Sequence, residues 1–155
     1  MASIIRAATV EDLPHVRRLQ EQWATDGETI GFQATPTDLL AAVVGGCFFV
    51  ATEQGDVVGF VYARAKHNDG AMSAVFADRA QYLEIEDLYV VPNQRSAGIG
   101  ARLVQSAADW AEQHRIRYLS AYSSTRDVDR VLRFYRACGF ESWFVQVFRD
   151  LGEAV

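Results

Sequence analysis

The sequence predicts a mixed α/β (α+β) domain whose sheet begins antiparallel, and three observations predict it. Apolar residues recur at helical spacing in two stretches, over Leu13, Val16, Leu19 and Trp23 and again over Ile99, Leu103, Ala107 and Trp110. Two apolar runs, Cys47 to Ala51 and Val57 to Ala63, flank the turn Glu53-Gln54-Gly55-Asp56 as the arms of a hairpin do. A third run, Tyr82 to Val91, passes through Pro92-Asn93 directly into the second helical stretch. Strands and helices therefore alternate after an antiparallel start.

Taken in order, Ile4-Ile5-Arg6-Ala7-Ala8 reads as a short first strand. Thr9 stands three residues before Asp12, a capping-box-like start for the first helix. Residues 27–36 break that helix. Thr37 is placed to cap a second, short helix through Leu39, Leu40 and Val43, and Gly45-Gly46 ends it. The hairpin follows. Residues 66–79 are polar and irregular and predict a loop, with a helical turn near Met72 to Phe76. After the Tyr82–Val91 strand comes the helix from Gly98. Tyr118 to Tyr122 then reads as a strand, Val128 to Arg136 as a helix stopped by Cys138-Gly139, and Phe140 to Phe148 as a closing strand.

Composition narrows the function. The 155 residues suit one domain spanning 1–155, and 50% apolar with 23% charged residues argues against disorder. Fifteen Lys and Arg against twenty Asp and Glu leave a net charge of −5, which disfavours a nucleic-acid partner. No apolar run approaches the roughly 20 residues of a membrane span, and the N-terminus lacks the pattern of a signal peptide. With only Cys47 and Cys138 as thiols, a reduced, cytoplasmic setting is expected. His15, His67 and His114 are scattered, so no metal is expected.

The chemistry concentrates in residues 82–100. The turn after the strand carries Arg95-x-x-Gly98-x-Gly100. Glycines at a helix start let a phosphate approach the backbone, where free N–H groups and the helix dipole attract it. A packing turn explains a glycine pair equally well. Two nucleotide-binding alternatives fail: no third glycine follows at Rossmann spacing, and Gly100 is followed by Ala101-Arg102 rather than Lys-Ser/Thr.

The segment Glu86-Asp87-Leu88-Tyr89-Val90-x-Pro92-x-x-Arg95-x-x-Gly98-Ile99-Gly100-x-x-Leu103 resembles motif A of the GCN5-related N-acetyltransferases, the GNAT superfamily. The start Ile5-Arg6-x-Ala8-Thr9-x-x-Asp12-Leu13-Pro14, the hairpin, and Phe134-Tyr135-Arg136-Ala137-Cys138-Gly139-Phe140 resemble other parts of that family, in order and over nearly the whole chain. The resemblance implies a mixed, mostly antiparallel sheet splayed after its fourth strand, with helices on both faces. It implies acetyl transfer from acetyl-CoA to a primary amine by direct attack in a ternary complex, and a homodimer as a family habit.

The resemblance also assigns roles. Leu88, Tyr89 and Val90 match the strand end that pairs by main chain with pantetheine. Arg95, Ser96, Ala97, Gly98, Ile99, Gly100 and Ala101 match the pyrophosphate loop, with Ser96 and Ala97 in place of a common glycine and basic residue. Period-2 geometry puts Glu84, Glu86, Leu88 and Val90 on one strand face and Ile85, Asp87 and Tyr89 on the other. Glu86 matches the strand glutamate of polyamine-type members and is expected to be the base or water-positioner; Glu84 matches the histone-type base and comes second. Tyr135 matches the general acid toward the CoA sulfur. Val128 stands where many members carry a cofactor-touching asparagine, and Arg126 and Arg130 lie near enough in sequence to meet CoA phosphates. Cys138, with no histidine nearby, reads as a buried thiol rather than a nucleophile. Glu84, Glu86, Asp87, Asp26 and Glu28 favour a cationic small acceptor such as a polyamine, diamine or aminoglycoside. A protein or peptide amine is the second reading, and a non-catalytic acyl-CoA-binding module the third.

Overall fold

The computed structural model describes residues 2–34 and 39–152. Strand β1 (Ile4–Ala7) leads through a single helical turn at Val10–Asp12 into helix α1 (Leu13–Asp26). The expected cap forms: Thr9 donates to Asp12 Oδ2 from its backbone N–H at 2.8 Å and from its hydroxyl at 3.1 Å. Arg6 closes on the same carboxylate with two bonds of 2.7 and 2.8 Å. Those bonds, Arg6 first and then Thr9, outweigh burial and pull Asp12 down to about 2. Helix α2 (Leu39–Gly45) follows; its predicted cap at Thr37 lies outside the described residues.

Strands β2 (Cys47–Glu53), β3 (Asp56–His67) and β4 (Gln81–Val90) form an antiparallel meander. Helix α3 (Ile99–Gln113), strand β5 (Tyr118–Ala121) and helix α4 (Val128–Ala137) complete the regular structure. The sheet order is β1-β2-β3-β4-β5, antiparallel throughout except for the parallel β4–β5 pair. The loop between β3 and β4 holds its predicted helical turn, with Phe76 N–H donating to Met72 O at 2.8 Å. Buried Asn68 organises that loop, its amide accepting from Gly70 and Met72 and donating to Ala77 O.

Each sheet face has its own core. Val61, Ala63, Leu83 and Ile85 meet Leu103, Val104, Ala107 and Ala111 of α3, with Phe134, Cys138 and Phe140 packed at the margin. On the other face Phe48, Val50, Phe60, Tyr62 and Tyr89 meet Val16 and Leu19 of α1 and Leu39 and Ala42 of α2. Each fully buried large side chain contributes about 1.5–3 kcal/mol, so both layers are needed. No helix among the described residues is long and apolar enough to cross a membrane.

One expected element is absent. Residues 140–148 form no strand, and residues 141–152 run outward without regular structure, every one of them exposed. The apolar run there satisfies the local requirement for a strand, but no strand among the described residues supplies the hydrogen bonds.

Candidate active site

The site grows from the two unequal halves of β4. Its first half, Tyr82 to Ile85, is paired on both edges, with β3 and with β5. Beyond Ile85 only β3 pairs with it, because β5 ends at Ala121. The chain after β5 is drawn toward the loop following α1: Ile30 N–H donates to Ser124 O at 2.7 Å, Arg126 N–H to Glu28 O at 3.0 Å, and Thr29 bridges Thr125. The two parallel strands therefore splay, and one backbone edge of residues 86–90 opens into the gap. Leu88, Tyr89 and Val90, the residues expected to pair with pantetheine, lie on that half-paired stretch.

A bulge sits at the start of the splay. Tyr62 pairs with Asp87 and Ala63 with Ile85, so Glu86 has no partner in the register. An extra residue flips the alternation that follows. Leu83 and Ile85 face the α3 core, and so do Leu88 and Val90, while Tyr89 joins the α1 core. This corrects the period-2 reading, which put Leu88 and Val90 opposite Ile85. It also brings Asp87 around to the glutamates' side, where Gln20 of α1 donates to its Oδ2 at 3.0 Å. Burial pushes the Asp87 carboxyl up, against the Gln20 bond, and the charge of Glu86 adds to the rise.

The glutamates are not bare. Lys66 Nζ donates to Glu84 Oε1 and lies 3.1 Å from Glu86 Oε1. Arg64 donates to the same Glu86 oxygen from Nε at 2.9 Å and from its terminal nitrogen at 2.7 Å. The two glutamate side chains are only 14% and 17% exposed, so the repulsion between them is offset by cations from β3 rather than by solvent. Sequence reasoning missed both cations. Arg64 and Lys66 alternate along a strand that the hairpin lays beside β4, but their reach to the glutamates depends on the bulge.

The turn between β4 and α3, expected to hold pyrophosphate, has a left-handed backbone. Ser96 and Gly98 are left-handed, at φ 66° and 77°. The Arg102 N–H bonds back to Gly98 O at 3.1 Å, so the preceding N–H groups of Ile99, Gly100 and Ala101 open the helix without intrahelical partners. Gly100 also has a packing reason: a Cβ there would stand 3.2 Å from the Phe134 ring of α4. Arg95 departs from expectation. Its Nε donates to Val90 O at 2.8 Å and its two terminal nitrogens reach Glu28 at 2.6 Å and Asp26 at 3.3 Å. The guanidinium also stacks 5.4 Å over Tyr89. Arg130 meets Glu28 at 2.8 Å, and Arg126 Nε donates to Gly27 O at 2.8 Å. The cations expected to meet phosphate are thus engaged by protein groups, and Asp26 and Glu28 are neutralised in return.

Tyr135 lies edge-on to Phe134 and Phe140, with ring centroids 5.1 and 5.2 Å away. Burial pushes its hydroxyl up to about 12. Burial likewise raises the Cys138 thiol and takes Cys47 to about 12, which suits inert thiols. Trp23 stacks on Tyr89 at 5.3 Å and donates to Thr29 at 2.8 Å, tying α1 to the strand. A recess of about 440 Å³ opens beside α2, lined by Gly46, Tyr62, Arg64 and Trp110, and holds none of the predicted site residues.

Comparison with known proteins adds a family. Residues 11–140 match the model of the acetyltransferase (GNAT) family. An aminoglycoside N(6')-acetyltransferase type 1 of Stenotrophomonas maltophilia is 30% identical over 107 residues, 68% of this chain and 65% of that protein. An uncharacterised N-acetyltransferase of Bacillus subtilis is 30% identical over 71 residues, 46% of this chain and 43% of its own length. The matched stretches thus span under two thirds of these curated relatives. An aminoglycoside acetyltransferase solved with a bisubstrate analogue of CoA and acetylneamine superposes with a TM-score of 0.74 at 20% identity, over 97% of this chain and 99% of that one. The glucosamine-6-phosphate N-acetyltransferase of Arabidopsis thaliana superposes at 0.69 and 15% identity, over 98% and 100%. At these identities the superpositions show a shared fold.

Proposed function

Since the chain belongs to the GNAT acetyltransferase family, we propose that it moves an acetyl group from acetyl-CoA to a primary amine of a small cationic molecule, by direct attack in a ternary complex. The observation that carries the acceptor half is Lys66, whose primary ammonium rests between Glu84 and Glu86. The pair holds the functional group that an acceptor must present. An entering ammonium displaces Lys66, and Glu86, directly or through water, takes the proton that the amine must lose before it attacks. Glu84 holds the second hydrogen bond. The 30%-identical aminoglycoside acetyltransferase supports a polycationic acceptor, of which aminoglycosides, diamines and polyamines are the candidates.

The cofactor half rests on three features that fit acetyl-CoA. The half-paired edge at Leu88–Val90 offers main-chain groups to an extended pantetheine arm, as an added strand would use them. Arg95 already takes the Val90 carbonyl, which leaves Leu88 and Tyr89 as the main contributors. The left-handed turn through Ser96 and Gly98 and the first turn of α3 aim N–H groups outward, where a pyrophosphate gains their dipoles. Tyr135 has its acidity lowered by burial, so its hydroxyl stays protonated at working pH. An ordinary thiol, near 8.5, is the stronger acid. Tyr135 therefore stabilises the departing thiolate by donating a hydrogen bond, without complete proton transfer. The working unit we propose is a cytoplasmic homodimer.

Incubation with acetyl-CoA and a panel of polyamines, aminoglycosides and short peptides, with products identified by mass spectrometry, tests this reading. Acetylated small cations are expected. Acetylated peptides alone favour a protein-directed enzyme, and bound acetyl-CoA without product favours a binding module.

A further inference from the structure

The glutamate pair on β4 already holds a primary amine, and that amine belongs to the chain itself. Lys66 is the only lysine in the sequence, so no other side chain presents one. On β3 it stands opposite Tyr82, yet its Nζ reaches past that residue to both glutamates, bonding Glu84 Oε1 and lying 3.1 Å from Glu86 Oε1. Arg64 holds the same Glu86 oxygen, but a guanidinium keeps its protons and is no nucleophile. An alkyl ammonium becomes a nucleophile on losing one proton. The Lys66 side chain is 33% exposed, so it is not sealed in the core, and its four-carbon stem is flexible. Burial lowers its hold on the proton, but the bonds to Glu84 and Glu86 and their charges outweigh burial, so the group rests as an ammonium. Attack by Lys66 therefore needs a base within reach, as attack by an added acceptor does, and the same Glu86 stands beside both.

We propose that Lys66 is a self-acetylation site: with acetyl-CoA bound and no acceptor present, its Nζ takes the acetyl group from the acetyl-CoA on the same chain. The inference rests on the acetyl-transfer reading above. Glu86, directly or through water, takes a proton from the Lys66 ammonium. The freed nitrogen pair attacks the thioester carbonyl carbon. The C–N bond forms, the C–S bond breaks, and the sulfur leaves with the electron pair beside the Tyr135 hydroxyl. The nitrogen sheds a second proton as the amide forms. One of the two protons ends on the CoA thiol and the other in solvent, so the products are Nε-acetyl-lysine and free CoA. The amide carries no charge and is not nucleophilic, so the reaction stops at one acetyl group per chain. An acceptor that displaces Lys66 from the glutamates protects it.

The full chain, its starting mass read first, is incubated with acetyl-CoA alone, and acetyl groups are counted by intact mass and located by peptide mass spectrometry. The expected result is one acetyl group on Lys66 with one CoA released for each, at a rate per chain that does not change with protein concentration. Glu86→Gln should slow the labelling at least tenfold, with circular dichroism checking the fold. Saturating polyamine or aminoglycoside, with acetyl-CoA in excess, should slow it as much in the wild type, which reads the same site without a variant. Acetyl groups on the N-terminal amine alone would overturn the inference. So would a rate per chain that rises with protein concentration, or labelling of Lys66 that neither Glu86→Gln nor added amine slows, the mark of an uncatalysed reaction. The two readings fail separately. A chain that acetylates added amines and never Lys66 overturns self-acetylation and keeps the acetyltransferase. Glu86-dependent labelling of Lys66 with no added amine acetylated supports self-acetylation and counts against the small cationic acceptor.

Discussion

At the scale of the residue, the site is made of charges that find partners before any substrate arrives. Lys66 and Arg64 answer Glu84 and Glu86, and Asp26 and Glu28 answer Arg95 and Arg130. Two predictions follow from these pairings. Lys66→Met removes the competing ammonium and should lower KM for a small cationic amine several-fold while leaving KM for acetyl-CoA unchanged; a rise in amine KM would assign Lys66 to acceptor binding instead. Glu28→Gln releases two guanidiniums beside the phosphate loop. Calorimetry should then show acetyl-CoA binding a few-fold tighter, with the gain shrinking as salt screens it. Weaker binding would mean that Glu28 orders the loop rather than shielding it. For Tyr135→Phe, kcat should fall by roughly 10–100-fold with little change in acetyl-CoA affinity, the pattern of an interaction made in the transition state. The Lys66 contact was not legible in the sequence, because it depends on a register that a hydrophobic pattern does not encode. Arg95 was legible as an important cation, but its acidic partners were not, since acids 67 and 69 residues away in sequence reach it only through the fold.

At the scale of the element, β4 carries most of the design. Its bulge at Glu86 turns Asp87 toward α1, and its splay from β5 leaves one backbone edge of residues 86–90 unpaired among the described strands. The strand itself was plain from Tyr82 to Val91; its bulge was not, because the chain shows no residue that marks one. The helical stretches were legible for the simpler reason that their period of apolar residues decides burial locally. Two acids, Asp12 before α1 and Asp87 within β4, pull stability in opposite directions with pH. Asp12 is held down to about 2, so its contribution is complete above the ordinary aspartate range and is lost as pH falls toward that value. Asp12→Asn should lower stability by roughly 1–2 kcal/mol at pH 7, discounted because Arg6 is half-exposed, and by less in acid. Asp87 is held up by burial, so ionising it costs the fold stability as pH rises from the ordinary aspartate value through its raised one. Asp87→Asn should therefore raise Tm at pH 7 and leave it nearly unchanged at pH 3. Thermal melts at the two pH values check both signs.

At the scale of the whole molecule, the net charge of −5 conceals a set of partly exposed ion pairs around the candidate site. The acidic excess expected to draw a polycation is smaller at the site than the sequence suggested. Glu84 and Glu86 face Arg64 and Lys66, and partial burial pushes the Asp87 carboxyl up. In the proposed reading, acceptor recognition depends on exchanging one ammonium for another more than on a long-range field. The order of elements, the layers and the left-handed turn before α3 were all readable in one dimension, because each follows from local periodicity or a glycine. The missing final strand was misread for the same reason: residues 140–148 have a strand's composition, and whether they form one depends on a paired neighbour that local composition does not encode.

The most direct test of the central claim is the steady-state rate of CoA release at saturating acetyl-CoA with a primary polyamine or aminoglycoside, in wild type and in Glu86→Gln. The account predicts saturable release by the wild type and a fall of about 10²-fold or more in kcat for the variant, the range that general-base catalysis supplies. Equal rates in the two proteins would contradict it.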